Sequence, residues 1–251
     1  PNVSLSMETN TIYNEDCLTT LGKMEDETVD LIVTSPPYNK NHWLRNKSKN
    51  NGGRRVIEYD AISDDLPHDE YIRQQKKVLR ECQRVLKPHG SIFYNHVDIL
   101  HDHLTIHPSF VYDFPVKQVL IWDRTNTPKL DKSYFFPVTE YVFWLKKTPK
   151  AKPLFFRDRL AFRNNILRIP PATKNPHPAP FPLSLVNNFV LGCSEEGMLI
   201  YDPYMGSGTT ALACILNGRK YIGSEISSKF CQDARKKIAE HKAQQVLPFA
   251  L

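Results

Sequence analysis

The chain has 251 residues, 33 Lys+Arg against 27 Asp+Glu, and a net charge of +6 at pH 7. That length suits one domain spanning residues 1–251, and no apolar run approaches the ~18 residues of a membrane span. The five cysteines, at 17, 82, 193, 214 and 231, are an odd, scattered set that includes no C-x-x-C pair. With no charged-then-apolar leader opening the chain, reduced thiols in a cytoplasm are the expectation.

Residues 1–10 read as a loose terminus, and Ile12 to Asp16 as a first strand. Asp30 to Thr34 is a second, a short apolar run that paired prolines stop abruptly. Ser35-Pro36-Pro37-Tyr38 therefore sits at a strand end, the usual place for chemistry in an open α/β sheet. Proline has no N–H, so the Ser35 and Pro36 carbonyls point outward with little competition from local pairing. Such oxygens accept the protons of a planar amine while the Tyr38 ring stacks on its face. The blander alternative is a Pro-terminated strand with Tyr38 packed on the core.

Six cations without an acid come next: Lys40, Arg45, Lys47, Lys49, Arg54 and Arg55. Residues 40–60, rich in Asn, Gly, Lys and Arg, read as a mobile loop that orders on a polyanion. A long helix over Pro67–Leu86 carries Ile72, Val78, Leu79, Cys82 and Val85 near helical spacing. Ser91 to Tyr94 is a third parallel strand, and Asn95-His96 at its end are candidates for lining a base pocket. His96, His101, His103 and His107, with Asp98 and Asp102, match no standard zinc spacing, so a loop and helix without metal is expected there. Val119–Trp122 and Tyr141–Leu145 read as a hairpin closing the sheet edge. A second basic stretch, Lys146 to Arg168, has eight cations against Asp158 and includes Arg157, Arg159 and Arg163. Seven prolines between Pro149 and Pro180 make residues 146–180 an irregular insertion. Two basic segments on a mildly acidic body fit a nucleic-acid partner.

Met198 to Asp202 reads as another buried strand, followed by Pro203-Tyr204-Met205-Gly206-Ser207-Gly208-Thr209-Thr210 and a helix start at Ala211. Gly206 and Gly208 permit a tight turn and close approach to a ligand. Tyr221 to Ser224 then delivers Glu225, seventeen positions after Gly208. Strand, glycine loop, helix, strand and acid form a βαβ unit whose carboxylate bonds ribose hydroxyls. The loop lacks a third glycine and a lysine, which favours an adenosyl ligand without phosphates.

Thr34-Ser35-Pro36-Pro37-Tyr38 together with Asp202–Thr210 resembles the S-adenosylmethionine-dependent DNA amino-methyltransferases. Pro-Pro-Tyr preceding the glycine loop resembles the β group of that family. The resemblance runs from about Ile12 to Ala239. It includes Asn14–Leu18, like the segment whose acid contacts the cofactor adenine, and His177–Pro182, like the segment that holds the methionine moiety. Arg84–Phe93 is similar to the family's helix-to-strand connection, with His89 where glycine is common.

What the resemblance implies is specific. The fold would be α/β, Rossmann-like and class I, with a mostly parallel seven-stranded sheet and circularly permuted motifs. S-adenosyl-L-methionine would lie across Asp202, Pro203, Gly206, Ser207, Gly208 and Thr209, its ribose on Glu225 and its adenine near Asp16 and Cys17. Ser35, Pro36, Pro37 and Tyr38 would be catalytic on a flipped base of double-stranded DNA. The 40–60 loop and a short target-recognition insertion at 146–180 would contact that DNA. Ser before Pro-Pro-Tyr inclines the reading to cytosine N4, with adenine N6 the alternative. Protein-glutamine and ribosomal-RNA relatives usually carry the glycine loop first, which argues against them. A homodimer and a companion restriction endonuclease are further candidate partners of such a protein.

Overall fold

The computed structural model describes residues 7–40, 64–101, 104–125, 135–172 and 181–246. The basic stretch beyond Lys40, including Arg45, Lys47, Lys49, Arg54 and Arg55, and the segment from His177 to Pro180 lie outside the described residues. In chain order the elements begin with β1 (Thr11–Tyr13), α1 (Cys17–Lys23), β2 (Val29–Thr34) and α2 (His68–Val85). β3 (Leu86–His96), β4 (Ile99–His101), β5 (Leu104–Ile106), β6 (Val116–Asp123), β7 (Thr139–Lys146) and β8 (Ile166–Arg168) follow. The chain then adds α3 (Leu183–Cys193), β9 (Leu199–Asp202), α4 (Thr209–Leu216), β10 (Lys220–Ser224) and α5 (Ser228–Val246).

The main sheet runs β1-β10-β9-β2-β3-β7-β6-β8, and every neighbouring pair is parallel except the two made by β7. The strands expected to end at Asp16, Glu225, Asp202 and Ser35 are thus consecutive neighbours. Among the described residues the main sheet has eight strands where seven were expected. The extra one, β8, comes from the 146–180 segment, which also holds a 3-10 turn at Arg157–Arg159. That segment is therefore less irregular than its prolines suggest: Ile166–Arg168 is a stretch free of proline that pairs with β6 and becomes the sheet's outer strand. The expected hairpin is real, but β8 rather than the hairpin closes the edge. The His-rich stretch forms the β4–β5 hairpin and a 3-10 turn at Ser109–Asp113, not a longer helix.

Strand alternation divides the core in two. Leu31, Val33 and Phe93 face a layer built from α3, α4 and α5, whereas Ile32, Ile92 and Tyr94 face α1 and α2. Both faces being covered explains why every residue of β2 is buried. In α2 the buried positions Tyr71, Gln75, Val78, Leu79, Cys82 and Val85 follow the helical period, so the helix lies flat on the sheet. On the other face Phe189 of α3 stacks on Phe93 with centroids 4.2 Å apart and planes 9° from parallel. Phe189→Ala should therefore remove about 3–5 kcal/mol of stability. Urea unfolding monitored by tryptophan fluorescence checks this, and a loss under about 1 kcal/mol would mean the helix is held elsewhere.

Candidate active site

β1, β10, β9 and β2 end side by side, so the loops starting at Asn14, Glu225, Pro203 and Ser35 converge at one sheet edge. An open cleft lies there, enclosing about 770 Å³ of space that includes open solvent. Ser35, Pro36, Pro37 and Tyr38 form one wall. Pro203, Tyr204, Gly206 and Glu225 form another, with Asp16 and Cys17 at the start of α1 between them. Asp16 caps that helix by accepting from the Leu18 amide at 2.8 Å, and burial pushes the Cys17 thiol up to about 12.

The remaining residues of the glycine motif support the cleft rather than line it. Asp202 is buried beneath the loop, where Oδ1 accepts from Thr34 Oγ1 at 2.8 Å and from the Tyr204 amide at 3.0 Å. Its Oδ2 accepts from Thr210 Oγ1 at 2.6 Å. Gly208 takes a left-handed φ of 76° as the N-cap of α4, and a Cβ there would stand 3.0 Å from Ala234 Cβ. Ser207 Oγ and Thr209 Oγ1 lie 3.3 Å apart in the same turn. Glu225 joins both roles: its Oε2 accepts from the Gly206 amide at 2.8 Å, its Oε1 from the Ser227 amide at 2.9 Å, and it borders the cleft.

The lining charges discriminate between ligands. Among the described residues Glu15, Asp16, Asp64 and Glu225 face the cleft with a single cation, Lys40. Phosphates would be repelled, whereas a positively charged sulfonium is favoured. Apolar Pro203, Ile226 and Phe230 supply surface for a purine, and the carboxylates can accept from ribose hydroxyls. An adenosyl sulfonium cofactor fits this donor set.

Tyr38 anchors the other wall. Only 8% of it is exposed, and its hydroxyl contacts Ser35 Oγ at 2.6 Å and donates to Glu140 Oε2 at 3.1 Å. Asn95 Nδ2 donates to the same Tyr38 oxygen and, at 2.7 Å, to Glu140 Oε2. Arg124 Nη1 reaches Glu140 Oε1 at 2.9 Å from the end of β6. Burial, then the Glu140 charge, holds the phenol pKa well above its usual value, so Tyr38 is a neutral donor. The Lys40 ammonium lies 4.6 Å from the ring centroid, and the His96 ring centroid is 5.0 Å away. Tyr71 Oη donates to Pro37 O at 2.9 Å and meets His96 Nε2 at 2.7 Å, which clamps the second proline.

Asn95 and His96 were legible as strand-end candidates; Glu140, Arg124 and Tyr71 were not singled out. Glu140 did leave one signal, as an acid opening an otherwise apolar strand. Arg124 and Tyr71 left none, because their partners are distant in the chain. The basic residues of the 146–180 segment divide. Phe156 N donates to Gly192 O at the end of α3, and Leu154 N to His89 O at the start of β3. Arg157 and Arg159 therefore stand by the sheet edge opposite the cleft, exposed, with Arg159 over the Phe156 ring. The structure does not bring them together with Tyr38. Arg163 is exposed beside a second, smaller cleft under β6, and Arg168 pairs in register with Asp123 at the catalytic end. Among the described residues no group of His, Cys, Asp and Glu is arranged for a metal ion. Asp98 instead accepts from Tyr141 Oη at 2.9 Å and meets His107 Nδ1 at 2.7 Å.

Comparison with known proteins meets this geometry. The family model described as DNA methylase, covering N6 and N4 amino-methyltransferases, matches residues 29–236. The chain belongs to this family. Its members are S-adenosylmethionine-dependent enzymes that methylate exocyclic amines of DNA bases. The chain is similar to the type II methyltransferase M.BglII of Bacillus subtilis, 29% identical over 88% of this chain and 66% of that relative's length. It is also similar to the DNA adenine methyltransferase YhdJ of Escherichia coli K12, 25% identical over 96% of this chain and 87% of that one. Its fold resembles the solved PvuII cytosine-N4-specific DNA methyltransferase, with TM-score 0.71, 20% identity and coverage of 98% and 89%.

Full burial lowers the His96 pKa from 6.5 to about 3. A base whose folded pKa is depressed adds stability above its unfolded pKa and loses it as pH falls towards the folded one. Between pH 6 and 4 this residue should account for a fall of about 1.4 kcal/mol per pH unit in unfolding free energy. Urea unfolding of wild type and His96→Gln at pH 6.5, 5.5 and 4.5 measures it. Parallel pH profiles for the two proteins would refute the assignment.

Proposed function

We propose that this protein transfers a methyl group from S-adenosylmethionine to the exocyclic amine of a base flipped out of duplex DNA, with cytosine N4 as the preferred target. The observation that carries the reading is one cleft shared by Ser35-Pro36-Pro37-Tyr38 and the glycine loop with Glu225. The cofactor supplies a methyl group on a positively charged sulfur, an electrophile that needs no metal to react with nitrogen.

The protein's part is to make a poor nucleophile competent. An exocyclic amine donates its lone pair into the ring, and oxygens accepting its protons favour a pyramidal nitrogen. Ser35 Oγ and the Pro36 carbonyl serve as those oxygens and stabilise the positive charge that develops on nitrogen. Burial behind Tyr71 and His96 keeps the Pro-Pro turn rigid, so the amine is held in one orientation. Flipping costs a few kcal/mol, and stacking on Tyr38 offsets roughly 1–3 kcal/mol of that. The incoming base would take the place of the Lys40 ammonium over the ring. Asp16 and Glu225 hold the adenosyl end, and the cluster of carboxylates attracts the sulfonium.

Ser35 supports the cytosine preference, since a hydroxyl before Pro-Pro-Tyr is more usual in the N4 enzymes of the family. Adenine N6 is the second reading, favoured by the relative named for adenine. Duplex contact is proposed for Lys40 and the basic residues up to Arg55, which follow Tyr38 directly. A homodimer and a companion endonuclease are proposals resting on the family alone, and the chain's setting is proposed as cytoplasmic on the same basis.

The test is a nucleoside analysis. Unmethylated genomic DNA is incubated with the protein and methyl-labelled S-adenosylmethionine, digested, and resolved by mass spectrometry. Label in N4-methylcytosine is the expected result; label in N6-methyladenine would replace the base and keep the mechanism. No label in any DNA base would refute the reading. Tyr38→Ala should keep cofactor binding within a few-fold in a titration while turnover falls by more than tenfold. Loss of cofactor binding instead would overturn the assignment of the ring to the base.

A further inference from the structure

We infer that Glu140, acting through Tyr38, locks the Ser35 hydroxyl as a hydrogen-bond acceptor towards the cleft, and so decides that the site takes an amine donor. This deepens the methyltransferase reading and rests on it for the identity of the amine.

The supply of protons around Glu140 forces this polarity. Glu140 is 5% exposed and its carboxylate has nothing to donate. Its Oε1 faces the Arg124 guanidinium at 2.9 Å, and its Oε2 faces Asn95 Nδ2 and Tyr38 Oη. The single Tyr38 proton must therefore go to Glu140. Asn95 is likewise forced to turn its NH2 group inward, since its oxygen would otherwise abut the carboxylate. The consequence is visible, because Asn95 Oδ1 is buried with no hydrogen-bond partner among the described residues. A native fold tolerates such an orphan where a stronger demand, here the Glu140 charge, overrides it.

With its proton committed, Tyr38 Oη can only accept from Ser35 Oγ, 2.6 Å away. The Ser35 proton is thereby directed at Tyr38. Both Ser35 lone pairs are left for the cleft, which this residue borders. An isolated serine could donate or accept equally well. Here four residues, Arg124, Glu140, Asn95 and Tyr38, impose one polarity on it. A ring nitrogen or a carbonyl presented to Ser35 would meet lone pairs, whereas an N–H meets an acceptor. Glu140 reaches the cleft only through Tyr38, so it is a positioning residue.

Glu140→Gln inverts the chain without removing volume. Arg124 retains the amide oxygen on its side, so the new NH2 faces both Asn95 and Tyr38. Asn95 turns its oxygen to accept one N–H, Tyr38 Oη accepts the other, and the Tyr38 proton turns to Ser35. Ser35 then donates into the cleft. Ser35→Asp supplies an obligate acceptor instead, but beside Glu140 it competes for the one Tyr38 proton. The two changes should compensate. In the double variant Tyr38 donates to the carboxylate introduced at position 35, and acceptor polarity towards the amine is restored.

Two readouts are taken on wild type, both single variants and the double variant. Single-turnover methylation of DNA should fall roughly 100-fold in each single variant, the size usual for loss of one preorganised hydrogen bond. It should recover at least tenfold in the double variant, every rate being taken at saturating S-adenosylmethionine. Urea unfolding should show the same compensation, so that the double variant is more stable than the two single losses added together. Additive losses in both readouts would overturn the inference. Compensation in unfolding with no methylation by wild type would sustain the Ser35 polarity and refute the methyltransferase reading instead.

Discussion

The two halves of the site meet at one buried carboxylate, Asp202. It accepts from Thr34, the last residue before Ser35, and from Thr210, in the first turn of the helix after the glycine loop. It also holds the Tyr204 amide between them. Burial raises its pKa from 3.8 to about 6 despite these three donors. A carboxyl whose folded pKa is raised loses stability as pH climbs from the unfolded value through the folded one. Keeping Asp202 ionised at neutral pH therefore costs about 3 kcal/mol relative to strongly acid solution. What that cost maintains is the register between β2 and β9, which sets where the amine-binding oxygens stand relative to the cofactor loop.

Around that brace the two walls differ in electrostatic character. The cofactor wall gathers carboxylates at the border of the cleft, with Glu225 buried and fixed by the Gly206 and Ser227 amides. The base wall buries Tyr38, Tyr71 and His96, and burial holds all three neutral. A charged group beneath the flipped base would repel or attract it irrespective of its hydrogen-bond pattern. Neutral rings with fixed proton positions read the pattern instead. Glu140, the carboxylate behind Tyr38, is matched by Arg124 and screened from the cleft by Tyr38.

Much of this was legible in the sequence, for a physical reason. Strand ends followed by Pro-Pro or Gly-x-Gly are local features, and a parallel sheet carries all such ends to one edge. Ser35, Tyr38, Gly206 and Glu225 could thus be assigned to a common site without knowing the strand order. The bonds of Asp202 to Thr34, Tyr204 and Thr210 beneath the loop were not legible, because they join residues of two strands that are distant in the chain. Glu140 lies on β7 and Arg124 just past the end of β6, in an antiparallel hairpin whose register with β3 depends on pairings spanning 45 residues between Asn95 and Glu140. No periodicity encodes such a pairing. The position of Arg157 and Arg159 was hidden for the converse reason: charge is read along the chain, whereas the segment first crosses to the far edge and only returns at β8.

The same geometry explains why the order of motifs along the chain is free to vary. β2 and β3, with the β7 strand that carries Glu140, build the base wall; β1, β9 and β10 build the cofactor wall. Each group is contiguous in the sheet and closes its own hydrogen bonds. Their principal side-chain link at the edge is the Thr34–Asp202 pair, whose partners are 168 positions apart in sequence. Such a link depends on adjacency of two parallel strands and not on which is made first. Cutting and rejoining the chain elsewhere would leave the edge intact, provided β2 and β9 stay neighbours. The constraint that survives permutation is therefore the strand pairing, with a buried acid to fix it.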